Sequence, residues 1–298
     1  MTVMPKLTFK VACIQVNTSN DMAENIDKAS GFARAAAKDG AGLVMMPENV
    51  SMMERNREGT LAKAMPEDTH AALAAFRKLA PDLGVWLHCG SLAIALKNGK
   101  IANRTYVIDP KGQIAARYDK IHMFDVDLGN GERYAESATF EAGTDSASVA
   151  LPWGILGLTI CYDMRFPNLY RHLAQAGADF IAVPSAFTRP TGEAHWHVLL
   201  RARAIETGCF IFAPAQTGIH AGDRKTYGHS LIVNPWGEVL ADGGIEPGVI
   251  MATINPAEVS EARARIPALS VHTRYSDGVD PEDRQENGAP DDEELQFG

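Results

Sequence analysis

The stretch LTICYDMRFP, residues 158–167, opens as a buried strand and closes as a charged turn. Leu158, Thr159 and Ile160 are strand formers, and Cys161 ends the apolar run. Tyr162, Asp163 and Arg165 follow at once, then Phe166 and Pro167. A cysteine on an apolar run is ordinarily inert core. Side chains at the carboxyl ends of strands, however, face the clefts of α/β proteins. Whether Cys161 is core or chemistry therefore depends on whether the chain is built from such strands.

The pattern on either side supports that architecture. Strand-like runs rich in Val, Ile, Thr and aromatics occupy residues 9–16, 42–46, 85–95, 104–108, 113–118, 155–161, 180–183, 209–213, 229–233 and 249–254. Helix-like stretches occupy 22–38, 60–79, 169–175 and 192–207. In the first of these, Ile26, Ala29, Phe32, Ala33 and Ala36 share one helical face. The turns DPKGQ, 109–113, and NPWGE, 234–238, predict antiparallel hairpins, so the sheets are mixed. Some ten strands and four main helices predict an α/β fold, a four-layer αββα sandwich with two mixed β-sheets. One domain is expected over residues 6–275. Residues 276–298 carry nine acidic residues and one Arg among Pro, Gly and Asn, and read as a mobile or loosely docked tail.

Composition narrows the function. The formal net charge of -9, most of it in that tail, argues against nucleic acid or an anionic membrane as partner. No apolar run reaches the ~18 residues of a membrane span. The first ten residues resemble neither a secretory signal nor a transit peptide, and the four cysteines are widely spaced without a C-x-x-C. A cytoplasmic protein with reduced thiols is expected.

Several familiar chemistries are missing: no G-x-S-x-G, H-E-x-x-H, Walker loop or G-x-G-x-x-G occurs. In HWH, His195 and His197 at i, i+2 point to different helix faces, which argues against metal ligation by the pair. Cys13, Cys89 and Cys209 lie within apolar runs and read as core. Two further apolar runs end as the Cys161 run does. Residues 43–46 lead into Pro47 and Glu48, and Lys120 lies between Tyr118 and Ile121. Taken singly, a cap or surface turn accounts for Glu48 and snorkelling for Lys120. Together, a carboxylate, an ammonium and a thiol at three strand ends form a nucleophile, its base and a stabiliser of the oxyanion. A Cys–His pair using His122 is the rival chemistry.

The motifs MMPEN around Glu48, RYDKIHMFDVD around Lys120 and GLTICYDMRFP around Cys161 resemble those of the nitrilase superfamily, the carbon–nitrogen hydrolases. YAESATFEAG around Glu136 and LLRARAIETGCF around Glu206 are similar too, and the likeness covers about residues 6–275. It implies an αββα sandwich, a homodimer or higher homo-oligomer, and no metal or organic cofactor. It also implies a catalytic Glu48–Lys120–Cys161 triad, with Glu136 orienting Lys120 or substrate and the Tyr162 backbone N–H in the oxyanion site. Tyr162-Asp163 after the cysteine resembles the amidase branch, and KIHMFDVD and YAESATF resemble its Nit subgroup. That implies hydrolysis of the terminal amide of a small anionic ω-amido acid. Deaminated glutathione is the favoured substrate; 2-oxoglutaramate and N-carbamoyl amino acids are alternatives, as is a catalytically silent scaffold. An anionic substrate calls for a cation in the pocket, and Arg165 is the expected one.

Overall fold

The structure is a computed structural model that describes residues 7–129 and 132–271. The acidic segment 276–298 lies outside the described residues. Two mixed sheets face each other. In the first, strands run in the order Gly248–Ile254, Phe9–Gln15, Leu43–Met45, Trp86–His88, Ile101–Ile108, Leu92–Ala95, and the fifth of these also pairs with Ile114–Asp119 and Phe140–Glu141. The second runs Ala147–Leu151, Gly154–Leu158, Phe180–Ala182, Phe210–Ala213, Leu231–Val233, Val239–Asp242. Each sheet has a parallel centre flanked by antiparallel neighbours.

Burial on both faces explains why these strands read as unbroken apolar runs. Along Phe9–Gln15, Val11 and Cys13 join the core shared with the second sheet, where Leu156, Leu158 and Phe180 meet them. Ala12 and Ile14 point the other way, against Ala29 and Ala33 of helix Met22–Lys38 and Phe76 of helix Ala71–Leu83. Across the inter-sheet layer, Phe9 stacks on Trp153 at 4.2 Å and meets Phe180 edge-on at 5.4 Å. Helices Pro167–Gln175 and Arg189–Thr207 cover the outer face of the second sheet through Tyr170, Leu173, Trp196 and Leu200. The order is helix, sheet, sheet, helix, as expected, and both expected hairpins are antiparallel.

Several elements differ from expectation, among them the unanticipated strands Asp125–Asp127, Arg133–Ala135, Ala147–Leu151, Thr217–Ile219 and Lys225–Tyr227. The helix expected over 60–79 is broken into Arg57–Lys63, a short turn at Glu67–Thr69, and Ala71–Leu83. Pro66 disfavours helical backbone at the residue before it, and Ala64 is already extended at φ -61, ψ 137. The run expected as one strand over 85–95 is two strands, Trp86–His88 and Leu92–Ala95, broken at Gly90. Gly90 has φ +61, and a Cβ there would lie 1.9 Å from the Pro47 carbonyl oxygen. Only glycine allows this corner to press against the turn that carries Glu48. Finally, helix Ala257–Arg265 was not anticipated; it follows Pro256 and buries only Val259, too weak an apolar face to detect.

Candidate active site

Three strand ends converge on one cavity of about 860 Å³, whose wall includes Glu48, Lys120, Glu136, Cys161 and Tyr162. Glu48 follows Leu43–Met45, and Lys120 follows Ile114–Asp119. The strand leading to Cys161 ends at Leu158, three residues earlier than expected. Thr159 and Cys161 still donate to the next strand region, to the carbonyls of Ala182 at 3.2 Å and Pro184 at 2.9 Å. Cys161 itself has φ +48, rare for a residue with a side chain, and starts the turn Cys161–Arg165. Asp163 holds that turn. Its carboxylate accepts from the Ile160 N–H at 2.9 Å, the Tyr118 hydroxyl at 2.7 Å and the His122 N–H at 3.0 Å.

Lys120 is the centre of the polar cluster. Its Nζ donates to Glu48 Oε1 at 3.1 Å and to Glu136 at 3.0 and 2.8 Å. Asn103 Nδ2 spans both carboxylates, at 3.0 Å from Glu48 and 3.3 Å from Glu136. The Ala186 N–H binds the other oxygen of Glu48 at 2.8 Å, and the Phe124 N–H binds Glu136 at 2.7 Å. Every charge is thus paired and hydrogen-bonded, as buried ions require.

These contacts set the protonation states. Burial alone would raise the Glu48 carboxyl, but Lys120, the Cys161 thiol, Arg224 and the Ala186 N–H together hold it below its ordinary value. Burial would lower Lys120, but Glu136 and Glu48 outweigh it and raise it. Burial, and then the Glu48 charge, raises the Cys161 thiol. At neutral pH the resting site holds an ionised carboxylate, a charged ammonium and a neutral thiol beside Glu48. The Tyr162 N–H next to the thiol has no hydrogen-bond partner among the described residues.

His122 pairs elsewhere. Its Nδ1 lies 2.7 Å from Asp163, and its ring stacks on Phe166 at 3.5 Å. A Cys–His mechanism finds no bond to support it. His122→Asn is expected to keep turnover within about tenfold of the parent in a steady-state assay, since loss of an essential acid–base group costs 10²–10⁴-fold.

Arg165 is not among the residues that form the cavity wall; its guanidinium lies over the rings of Tyr162 and Phe187, which do belong to that wall, at 5.9 and 5.4 Å, and Nη2 meets His195 at 3.2 Å. Arg55, Arg57, Arg133, Arg189 and Arg224 line the cavity instead. Arg224 stands out among them, because its buried Nε has no partner among the described residues. Its Nη2 donates to the Ala186 carbonyl at 2.9 Å, and the guanidinium covers the Tyr134 ring at 5.6 Å. Asn103 also escaped the sequence reading. An asparagine inside the strand IANRTYVI, where its propensity is poor, was the available signal. Glu206 pairs with Arg203 at 2.7 Å, a packing role for that helix.

A family model described as carbon-nitrogen hydrolase matches residues 10–264. The chain is a carbon–nitrogen hydrolase. Curated relatives of this hydrolase named deaminated glutathione amidase include one from Synechocystis sp., 41% identical over 88% of this chain and 97% of its own. Another, from Mus musculus, is 39% identical over 87% of this chain and 81% of its own. Among solved structures, the C. elegans NitFhit protein superimposes with a TM-score of 0.84 at 35% identity, covering 92% of this chain and 67% of that one. The hydrolase is thus an amidase-type member of its family, with the αββα sandwich inferred from its strands. No helix among the described residues is long and apolar enough to cross a membrane.

Proposed function

We propose that this hydrolase is a cysteine-dependent amidase that cleaves the terminal amide of a small anionic ω-amido acid, deaminated glutathione above all. The observation that carries the proposal is the convergence of an ionised carboxylate, a charged ammonium and a neutral thiol on one cavity. Glu48 takes the Cys161 proton as sulfur adds to the amide carbon. The developing oxyanion is held by the Lys120 ammonium and the Tyr162 N–H. The C–N bond then breaks, and the proton on Glu48 passes to the leaving nitrogen, which departs as ammonia. Water, deprotonated by Glu48, adds to the thioester; the acid leaves and the proton returns to sulfur. Glu136 positions the Lys120 ammonium.

Proton transfer from a raised thiol to a lowered carboxylate is uphill, so thiolate forms only as sulfur attacks. That keeps the resting thiol unreactive until a carbonyl oxygen occupies the site beside Lys120. The relatives named deaminated glutathione amidase support the choice of substrate, as do the arginines of the cavity wall. Arg224 is proposed as the anchor of the substrate carboxylate, in place of Arg165. Arg224→Met is expected to raise KM for deaminated glutathione about 10–100-fold, the loss of one hydrogen bond between charged groups. A neutral aliphatic amide, which has no carboxylate to anchor, should show no such rise in KM. Arg165→Met, which alters no residue of the wall itself, should move KM by no more than about threefold.

Ammonia release tests the proposal against deaminated glutathione, 2-oxoglutaramate, glutamine, an N-carbamoyl amino acid and an aliphatic nitrile. Highest kcat/KM for deaminated glutathione is expected. Preference for 2-oxoglutaramate or the carbamoyl compound would keep the chemistry and replace the substrate. Silence across the panel from folded protein would favour a binding role. We further propose a cytoplasmic homodimer or higher homo-oligomer joined through the outer helix layer, where Val198 and Ile205, one above the other on helix Arg189–Thr207, are 68% and 54% exposed.

A further inference from the structure

Outside the cavity, two histidines and an aspartate from three separate elements meet. His197 comes from helix Arg189–Thr207, His229 precedes strand Leu231–Val233, and Asp242 ends strand Val239–Asp242. His197 Nε2 is 3.0 Å from Asp242 Oδ2; His229 Nδ1 is 2.9 Å from Oδ1 and 3.2 Å from Oδ2. One donor atom from each residue falls within 4.8 Å of the others. We propose that these residues form a binding site for a divalent transition-metal ion of the zinc type.

The spacing fits. Two donors bound to one ion at about 2.0–2.1 Å and roughly right to tetrahedral angles lie about 2.9–3.4 Å apart. The 3.0 and 3.2 Å separations from Asp242 Oδ2 fall in that interval, and the three donor atoms all lie within 4.8 Å of one another. Two imidazoles and one carboxylate suit zinc, nickel or copper, whereas calcium and magnesium demand oxygen ligands throughout.

The site is also held in place. His229 sits in the left-handed region at φ +52, a costly conformation for a residue with a side chain. Its N–H donates to the Gly244 carbonyl at 2.6 Å, and its own carbonyl accepts from Trp196 Nε1 at 2.7 Å. Its ring stacks on Tyr227 at 4.4 Å. Asp242 Oδ1 accepts from the Gly244 N–H at 2.9 Å. Among the described residues, Asp242 forms no ion pair with lysine or arginine that a metal would have to displace. All three side chains are about a quarter to a third exposed, so an ion has access. The HWH pair itself divides as expected, His195 going to Arg165 and His197 to Asp242. The second imidazole comes from His229, far along the chain.

None of the three residues lines the cavity, so the ion would clamp helix Arg189–Thr207 to the edge of the second sheet without joining the chemistry. The full-length Cys161→Ala protein, which lacks the cavity thiol, is titrated with zinc chloride by calorimetry. One ion per chain is expected, together with a rise in Tm. His197→Gln and Asp242→Asn should each weaken binding by at least about tenfold. Cobalt should give visible d–d absorption that the same variants lose. Circular dichroism establishes that each variant is folded. Absence of binding by the folded Cys161→Ala protein, or binding that both variants leave unchanged, would overturn the proposal.

Discussion

Replacing Cys161 by alanine is expected to lower kcat for the preferred amide by at least about 10⁴-fold while leaving the fold intact. The size follows from the role: without the sulfur no thioester can form, and loss of a nucleophile from a cooperating set removes nearly all that the set contributes. The fold survives because the substitution deletes one atom at the cavity surface and keeps the Asp163 bonds to Ile160, Tyr118 and His122 that shape the turn. Alanine tolerates the φ of +48 no worse than cysteine does. Steady-state ammonia release and thermal melts on one preparation measure both effects. Changing Cys13, Cys89 or Cys209, each wholly buried in core, should leave kcat unchanged in the variants that fold. Turnover within tenfold of the parent in Cys161→Ala would remove the thiol from the chemistry.

Lys120→Met should damage stability as well as rate. The methionine fills much of the space but leaves Glu48 and Glu136 facing each other with only Asn103 between them. Removing one partner of a buried ion cluster costs about 3–5 kcal/mol. Loss of the main oxyanion stabiliser lowers kcat about 10²–10³-fold. The pH dependence separates this from a simple packing defect. In the parent, the Glu48 carboxyl is held below its usual 4.5, so its contribution to stability is present above that value and is lost as pH falls. In the variant the two facing carboxyls are raised above the unfolded value, and the sign reverses: stability is greatest in mild acid and falls as pH rises. Urea unfolding from pH 4.5 to 8 should show the two curves diverging with increasing pH.

Much of the site was legible because burial leaves a signature in one dimension. Glu48, Lys120 and Cys161 each interrupt an apolar run, and a charge at the end of a core strand is costly unless it has a partner. The sandwich was legible for a related reason. Strands such as Phe9–Gln15 are buried on both faces, so a continuous apolar run with Gly and Pro punctuation locates them without alternation. Glu136 was marked only by resemblance, since a short turn between polar residues carries no comparable signal.

What stayed hidden depends on three-dimensional approach. Arg224 reaches the cavity from the hairpin Thr217–Ile219 and Lys225–Tyr227, and nothing local in HAGDRKTYG marks it as buried beside Glu48. Arg165 shows the converse. Four residues from the nucleophile is near in sequence, yet the tight turn carries its guanidinium over the rings of Tyr162 and Phe187. The His197–His229–Asp242 cluster was invisible because its members are distant in the chain and the neighbouring histidine, His195, drew the comparison. The helix break at Pro66 and the strand break at Gly90 carried signals that the apolar periodicity outweighed.

The most direct test of the account is to follow ammonia release and the mass of the acid-quenched protein together during turnover of deaminated glutathione. The account predicts a mass increase equal to the substrate less ammonia, located by peptide analysis on Cys161 and absent from Cys161→Ala. It also predicts that alkylation of Cys161 stops ammonia release. An adduct on another residue, or release that continues with Cys161 alkylated, would contradict it.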